Sequence, residues 1–277
     1  MRITLLTAHS EHGEPQHRYV ASRIAQAYPE ELQAIIVATG VRRSSLAKIG
    51  RWGRRYTPRQ LISRLLARIY NLATQADMHR QEALRSVLFP GGESGVMPRD
   101  DLVHLVTSHN SIECIKLLES LNPDIVVVYG TLIIGKKVIA SSNRIINLHT
   151  GFSPTYRGSD TIFWPLHNED LDNLGVTVHR LEPGLDSGPI LARGKPSIEL
   201  GEDENKLFAK AVKVGTELLC RAIKRETLQD SRPIVQQLNL GREYRSVERT
   251  LTAELRTRKI LRQNSFLKAR PEWWEEY

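Results

Sequence analysis

Apolar residues recur along the chain in two rhythms. Runs such as "RITLLT", "LQAIIVATG", "LVHLVTS", "DIVVVYG" and "RIINLHT" are nearly continuous and mostly aliphatic, as strands buried on both faces are. Between them, "QHRYVASRIAQAYP", "SIECIKLLESLNP" and a shorter stretch around "KKVIASS" carry helical spacing. Short strands alternating with helices predict an α/β domain built on a doubly wound, mostly parallel sheet, Rossmann-like in its winding. A later strand, "GVTVHRL", precedes a long helix in "EDENKLFAKAVKVGTELLCRAIKRE", apolar at Leu207, Ala211, Val214, Leu218 and Ala222. From about Gly241 the chain becomes polar and charge-rich, which reads as a tail. The expected division is a main domain over 1–200, with a basic helical insertion at about 42–98, and a C-terminal helix and tail over 201–277.

Composition adds bounds to this picture. A chain of 277 residues, 40% hydrophobic and 25% charged, can bury one sizeable core. It enters its first strand directly, and no stretch approaches the roughly 18 apolar residues of a membrane span, so the expectation is a cytoplasmic protein. Cys114 and Cys220 stand far apart and no Cys/His cluster has zinc-ligand spacing, so neither a disulfide framework nor a metal is expected.

The net charge of +8 is concentrated in one place. From Arg42 to Arg68 there are nine Lys/Arg and no Asp/Glu, and the rest of the chain is nearly balanced. Within this segment "PRQLISRLLARIYNLA" sets Leu61, Ile62, Leu65, Leu66, Ile69 and Leu72 at helical spacing, with Arg59, Arg64 and Arg68 on the other face. The first expectation is a solvated helix packed on the sheet or on another subunit, and a homodimer stays open. A membrane-surface contact aided by Trp52, or nucleic-acid binding, are sharper readings that amphipathicity alone does not favour.

Candidate chemistry gathers in "NLHTGFSPTYRGSD", directly after a strand. Alternation puts Asn147 and His149 on one strand face, where an amide donor can hold an oxygen gaining negative charge and an imidazole can move a proton. The segment "LEPGLDSGPI" offers Asp186 to orient the imidazole, and no Ser or Cys stands in nucleophile-elbow context, which favours transfer to an external nucleophile. Taken alone, such a pair is more often a turn-capping amide and a satisfied histidine. His179, in "GVTVHRL", reads as a site-lining or core histidine. The loop "AHSEHGEPQ" follows the first strand, where doubly wound folds bind substrates, and His12 there is a candidate contact.

Together, "NLHTGFSPTYRG" and "GVTVHRLEPGLDSGPIL" resemble the paired signatures of the formyl-tetrahydrofolate-dependent formyltransferases. That family includes glycinamide ribonucleotide, methionyl-tRNA and sugar-amine N-formyltransferases. The matching positions are Asn147, His149, Pro154, Arg157, Gly158 and Asp186, and the clear resemblance spans about Leu102 to Leu191. It implies an N-formyltransferase in which Asn147 holds the formyl oxygen, His149 stabilises the tetrahedral intermediate and helps move protons, and Asp186 orients His149, with an ordered water. It also implies 10-formyltetrahydrofolate as co-substrate, without a metal. The pterin is expected between Tyr129, Gly130, Thr131, Leu132 and Ile133 on one loop and Leu181, Glu182, Pro183, Gly184 and Leu185 on the other. Arg157 with Gly158 either binds an anionic substrate group or braces the catalytic turn.

Departures from the family pattern shape the expected acceptor. Only 77 residues follow Leu200, much of them helical, where a methionyl-tRNA formyltransferase carries a barrel domain; "TAHSEHGEPQH" replaces the glycine-rich phosphate loop of the glycinamide ribonucleotide enzymes. The expectation is therefore a small primary amine, an amino sugar on a nucleotide leading. A peptide or metabolite amine, or a catalytically silent module binding RNA or anionic membrane through its basic segment, remain the alternatives.

Overall fold

The computed structural model describes residues 1–8, 14–40, 57–92, 95–142, 144–263 and 267–277. His12, Trp52 and the 42–56 part of the basic segment lie outside the described residues, as do the side chains of Arg59, Leu61 and Arg64.

The aliphatic runs become parallel strands: β1 (Ile3–Ala8), β2 (Leu32–Ala38), β3 (Val103–Val106), β4 (Ile125–Tyr129) and β5 (Ile145–His149). They lie in the order β3-β2-β1-β4-β5, the arrangement of a doubly wound sheet. A short pair, β6 (Tyr156–Gly158) with β9 (Arg242–Tyr244), forms beside it. Beyond β5 the main sheet continues antiparallel through β7 (Val176–Arg180), β8 (Ile190–Lys195) and β10 (Trp273–Glu276).

Helices cover both faces. On one, α1 (Pro15–Ala27) buries Val20, Ala21 and Ile24 against Leu5, Ile35 and Val127. Its proline at the first turn loses no hydrogen bond, since that N–H has no intrahelical partner. The stretch before β3 supplies α2 (Pro58–Ala73) and α3 (Ala76–Leu88), whose Leu84 and Leu88 join this core. The opposite face is covered by α4 (Ile112–Leu121), capped by Ser111, and the single turn α5 (Lys136–Ile139) over Leu6, Ile36, Val126, Val128 and Ile145. After the short α6 (Phe163–His167), the long helix expected from its apolar spacing forms as α7 (Glu204–Thr227). Asp203 caps it, and Leu207, Ala211, Val214, Leu218 and Ala222 all enter the larger core.

Two expectations are corrected here. The stretch after Gly241 is not a tail: it forms β9, α8 (Leu251–Arg262) and β10, with β9 paired to the β6 motif strand and β10 closing the sheet edge. Polar composition misled because edge strands and helix surfaces need few apolar residues once the sheet is already built. The second correction concerns α2, which does not pack its apolar stripe on the sheet. Ile62, Leu65, Leu66, Ile69 and Leu72 are 48% to 70% exposed, while Ser63, Ala67, Tyr70, Asn71 and Thr74 are partly covered. The helix instead rests on α3 and α8.

Candidate active site

Strand β5 is buried along its whole length, and its alternation separates two functions. Ile146 and Leu148 enter the larger core, whereas Asn147 and His149 share the other face with Ile145. Antiparallel register then sets His179 of β7 opposite Asn147 and Thr177 opposite His149. These two partners fix the motif residues.

Asn147 Nδ2 donates to His179 Nε2 at 3.0 Å, and His179 Nδ1–H donates to the Arg180 carbonyl at 2.8 Å. With Nδ1 carrying the proton, Nε2 accepts, which assigns the nitrogen side of the Asn147 amide to the histidine. One amide hydrogen is thereby anchored and the second is left for another acceptor. The sequence reading of His179 as lining or core residue understated it: the ring is fully buried and holds Asn147.

Thr177 braces the turn after His149. Its hydroxyl accepts from the Ser153 N–H at 2.9 Å and donates to the Gly151 carbonyl at 2.8 Å. Gly151 has no room for a side chain: a Cβ there would overlap His149 Nε2 and stand 2.6 Å from Thr161 Cβ and 2.7 Å from the Tyr156 carbonyl. His149 donates from Nε2 to that same carbonyl at 3.2 Å. Its Nδ1 faces Asp186 Oδ2 at 3.5 Å.

Because β7 runs antiparallel to β5, the loop that follows it leaves from the far end of the sheet. Residues 181–189 fold back over the face bearing Asn147 and His149, and Asp186 meets them there. Its backbone sits at φ +47°, a left-handed conformation that aspartate tolerates better than most residues. Oδ2 accepts from the Gly158 N–H at 2.9 Å, and Oδ1 lies 3.7 Å from His179 Nε2. Burial would raise the Asp186 pKa, but His149, His179 and the Gly158 N–H hold it well below the usual carboxylate range. Burial lowers the His149 pKa, with the Asp186 carboxylate opposing. A neutral His149 therefore carries its proton on Nε2, and a second proton, arriving at Nδ1, would meet the carboxylate.

Two further residues position this loop, and the motifs gave no sign of one of them. Gln236, buried and far along the chain, donates from Nε2 to the carbonyls of Asp186 at 3.0 Å and Gly188 at 2.5 Å. The bridge between Ile190 and Ile234 delivers it there, a pairing no local pattern signals. Arg157 donates from Nη1 to the Leu185 carbonyl at 3.4 Å, so it braces the aspartate loop, while its buried Nε–H has no partner among the described residues. Gly158, at φ +94°, faces the Tyr244 backbone so closely that only glycine allows the β6–β9 pairing.

The two loops expected around a pterin lean on the same small core, through Ile134 and Leu181. Tyr129 is buried at the end of β4, Gly130 follows at φ +63° against His17, Thr131 is half-buried, and Leu132 and Ile133 are 87% and 76% exposed. Opposite, Glu182, Pro183 and Gly184 are exposed and Leu185 half-buried. Exposed apolar side chains beside accessible backbone suit a flat heterocycle with polar edges. Asn110, which the motifs did not indicate, clamps the first loop by donating to the Ile133 carbonyl at 2.8 Å and accepting from the Gly135 N–H at 2.6 Å.

A buried amide, two histidines and an aspartate held below the usual carboxylate range share one face of a doubly wound sheet. Residues 96–223 match the family model described as formyl transferase. The chain is 27% identical over 156 residues to a methionyl-tRNA formyltransferase of Caldanaerobacter subterraneus, covering 56% of this chain and 50% of that protein. It is 39% identical over 111 residues to one of Thermodesulfovibrio yellowstonii, covering 39% and 36%. The chain thus spans half or less of the length of these curated relatives. The fold is shared with a sugar N-formyltransferase from a Shewanella species, at a TM-score of 0.57 and 13% identity over 100% of this chain and 97% of that one. Asn147, His149, Arg157, Gly158 and Asp186 all fall within the segment 96–223 that matches the formyl transferase model.

Proposed function

We propose that the protein transfers a formyl group from 10-formyltetrahydrofolate to the primary amine of a small substrate, an amino sugar on a nucleotide. The observation that carries this reading is the coupled set Asn147–His179 and His149–Asp186, at 3.0 Å and 3.5 Å, within the formyl transferase segment. The folate supplies an activated formyl group when bound. The free amide hydrogen of Asn147 then donates to the oxygen on which negative charge grows, with its direction fixed beforehand by His179. His149, kept neutral by burial, takes the proton that the attacking amine loses and passes it to the folate nitrogen that leaves, with Asp186 stabilising the intervening imidazolium. The buried, unpartnered Nε–H of Arg157 suits an anionic group on the acceptor.

A small acceptor is supported by the path of the chain after α7. These residues fold back on the sheet through Gln236, β9 and β10, and of them Gln236 reaches the Asp186 loop while β9 pairs with the strand bearing Arg157 and Gly158. The methionyl-tRNA formyltransferases among the relatives favour a second reading, with a charged tRNA as acceptor. Release of tetrahydrofolate, measured with nucleotide-linked amino sugars, small peptides and methionyl-tRNA in parallel, separates these. Turnover with the sugars alone supports the proposal; turnover confined to the tRNA replaces the acceptor. In whichever assay is active, His149→Ala and Asp186→Ala should each lose about a hundredfold or more in rate. Asn147→Ala should bind folate normally while losing rate. No turnover with any amine, together with no folate binding by calorimetry, would leave a silent binding module.

A further inference from the structure

We propose that the exposed face of α2, with the basic end of α8, docks the protein on an anionic lipid surface. Ile62, Leu65, Leu66, Ile69 and Leu72 recur at three- and four-residue steps, so they form one continuous stripe, and that stripe faces away from α3 and α8. A helix whose larger aliphatic side chains point to solvent, while Ser63, Ala67, Tyr70 and Asn71 are partly covered by the protein, is oriented for an outside apolar partner. The orientation is held in place. Arg258 of α8 donates to the Tyr70 hydroxyl at 2.8 Å, and its guanidinium lies 4.8 Å from the ring centroid, pinning the flank of the stripe.

Charge selects the partner. Beside Tyr70, α2 and α8 enclose a recess of about 340 Å³ lined by Leu255, Arg258, Lys259 and Arg262. Among the described residues Lys259 and Arg262 pair with no carboxylate, and the exposed Arg68 flanks α2. In the sequence, the stretch from Arg42 to Arg68 adds no acidic residue. An apolar stripe rimmed by unpaired cations is the pattern of a helix lying in a headgroup layer, with phosphates at the cations and aliphatic side chains below them. A second copy of this face would bring Arg68, Lys259 and Arg262 against their own like charges. Nucleic acid would use the cations but leave five leucine and isoleucine side chains idle, since bases stack on aromatic groups.

Vesicle flotation tests this without relying on formyl transfer. The full chain should float with vesicles of equimolar phosphatidylglycerol and phosphatidylcholine, weaken steeply as salt rises, and stay free with phosphatidylcholine alone. Leu65→Glu with Ile69→Glu should reduce binding about tenfold or more, because buried aliphatic area is lost. Lys259→Glu with Arg262→Glu should weaken it comparably, and both doubles should keep the parent's unfolding temperature, since these side chains face solvent. The proposal falls if the parent fails to float at low salt, or floats unchanged in both doubles. It falls too if, without lipid, sedimentation shows a dimer that Leu65→Glu with Ile69→Glu dissolves. RNA binding that only the Lys259 and Arg262 changes weaken, without vesicle binding, would assign the face to nucleic acid instead.

Discussion

His179 stands directly opposite Asn147 across the antiparallel β5–β7 pair, and its Nε2 accepts the Asn147 amide at 3.0 Å. The histidine therefore acts through the asparagine, as a positioning residue. Replacing it by alanine frees the Asn147 amide to rotate and leaves a buried donor unpaired. We expect His179→Ala to lower kcat by about ten- to a hundredfold, less than the roughly hundred- to thousandfold that losing an oxyanion donor outright costs, with little change in folate affinity. His179→Gln, which can still present an acceptor, should recover part of the rate. Equal losses in both variants, or a loss confined to KM, would show that the ring does not orient Asn147.

Acidity should affect rate and stability with predictable signs. Burial lowers the His149 pKa below its ordinary 6.5, so the folded chain keeps the ring neutral where the unfolded chain already binds a proton. Stability linked to His149 is complete above about 6.5 and declines as pH falls below it. Asp186 behaves likewise from its ordinary 3.8: with its folded pKa depressed, its contribution is complete above that value and is lost on further acidification. The base form of His149 persists into mild acid, so kcat/KM should hold its plateau below pH 6.5. An acid limb centred above 6.5, in a pH series on the parent protein, would contradict the neutral, buried imidazole.

Gly151 tests how tightly the turn grips His149. An alanine methyl there must displace the imidazole, Thr161 or the Tyr156 carbonyl. Gly151→Ala should destabilise the fold by about 1–3 kcal/mol, as overpacking does, and remove most turnover at temperatures where the protein remains folded. Denaturant unfolding and a rate measurement on the same sample separate the two effects. Normal rate in a folded Gly151→Ala variant would mean that His149 tolerates displacement.

Sequence by itself determined the doubly wound core and the working face of β5. Four of the five aliphatic runs form strands buried on both sides, with β3 half exposed at the sheet edge, and alternation within "IINLH" commits Asn147 and His149 to one face whatever surrounds them. The spacing of α7 was equally local, because a helix reports its buried stripe at every turn. Tertiary structure decided what no local rhythm encodes. The antiparallel turn to β7 chose His179 as the partner of Asn147 and sent Asp186 back over the sheet, a matter of register between segments about thirty residues apart. Gln236 reached the aspartate loop only through the Ile190–Ile234 bridge. In α2 the same amphipathic spacing that marks a packed helix was turned outward, since periodicity defines an apolar stripe but not which neighbour, sheet or surroundings, that stripe will face.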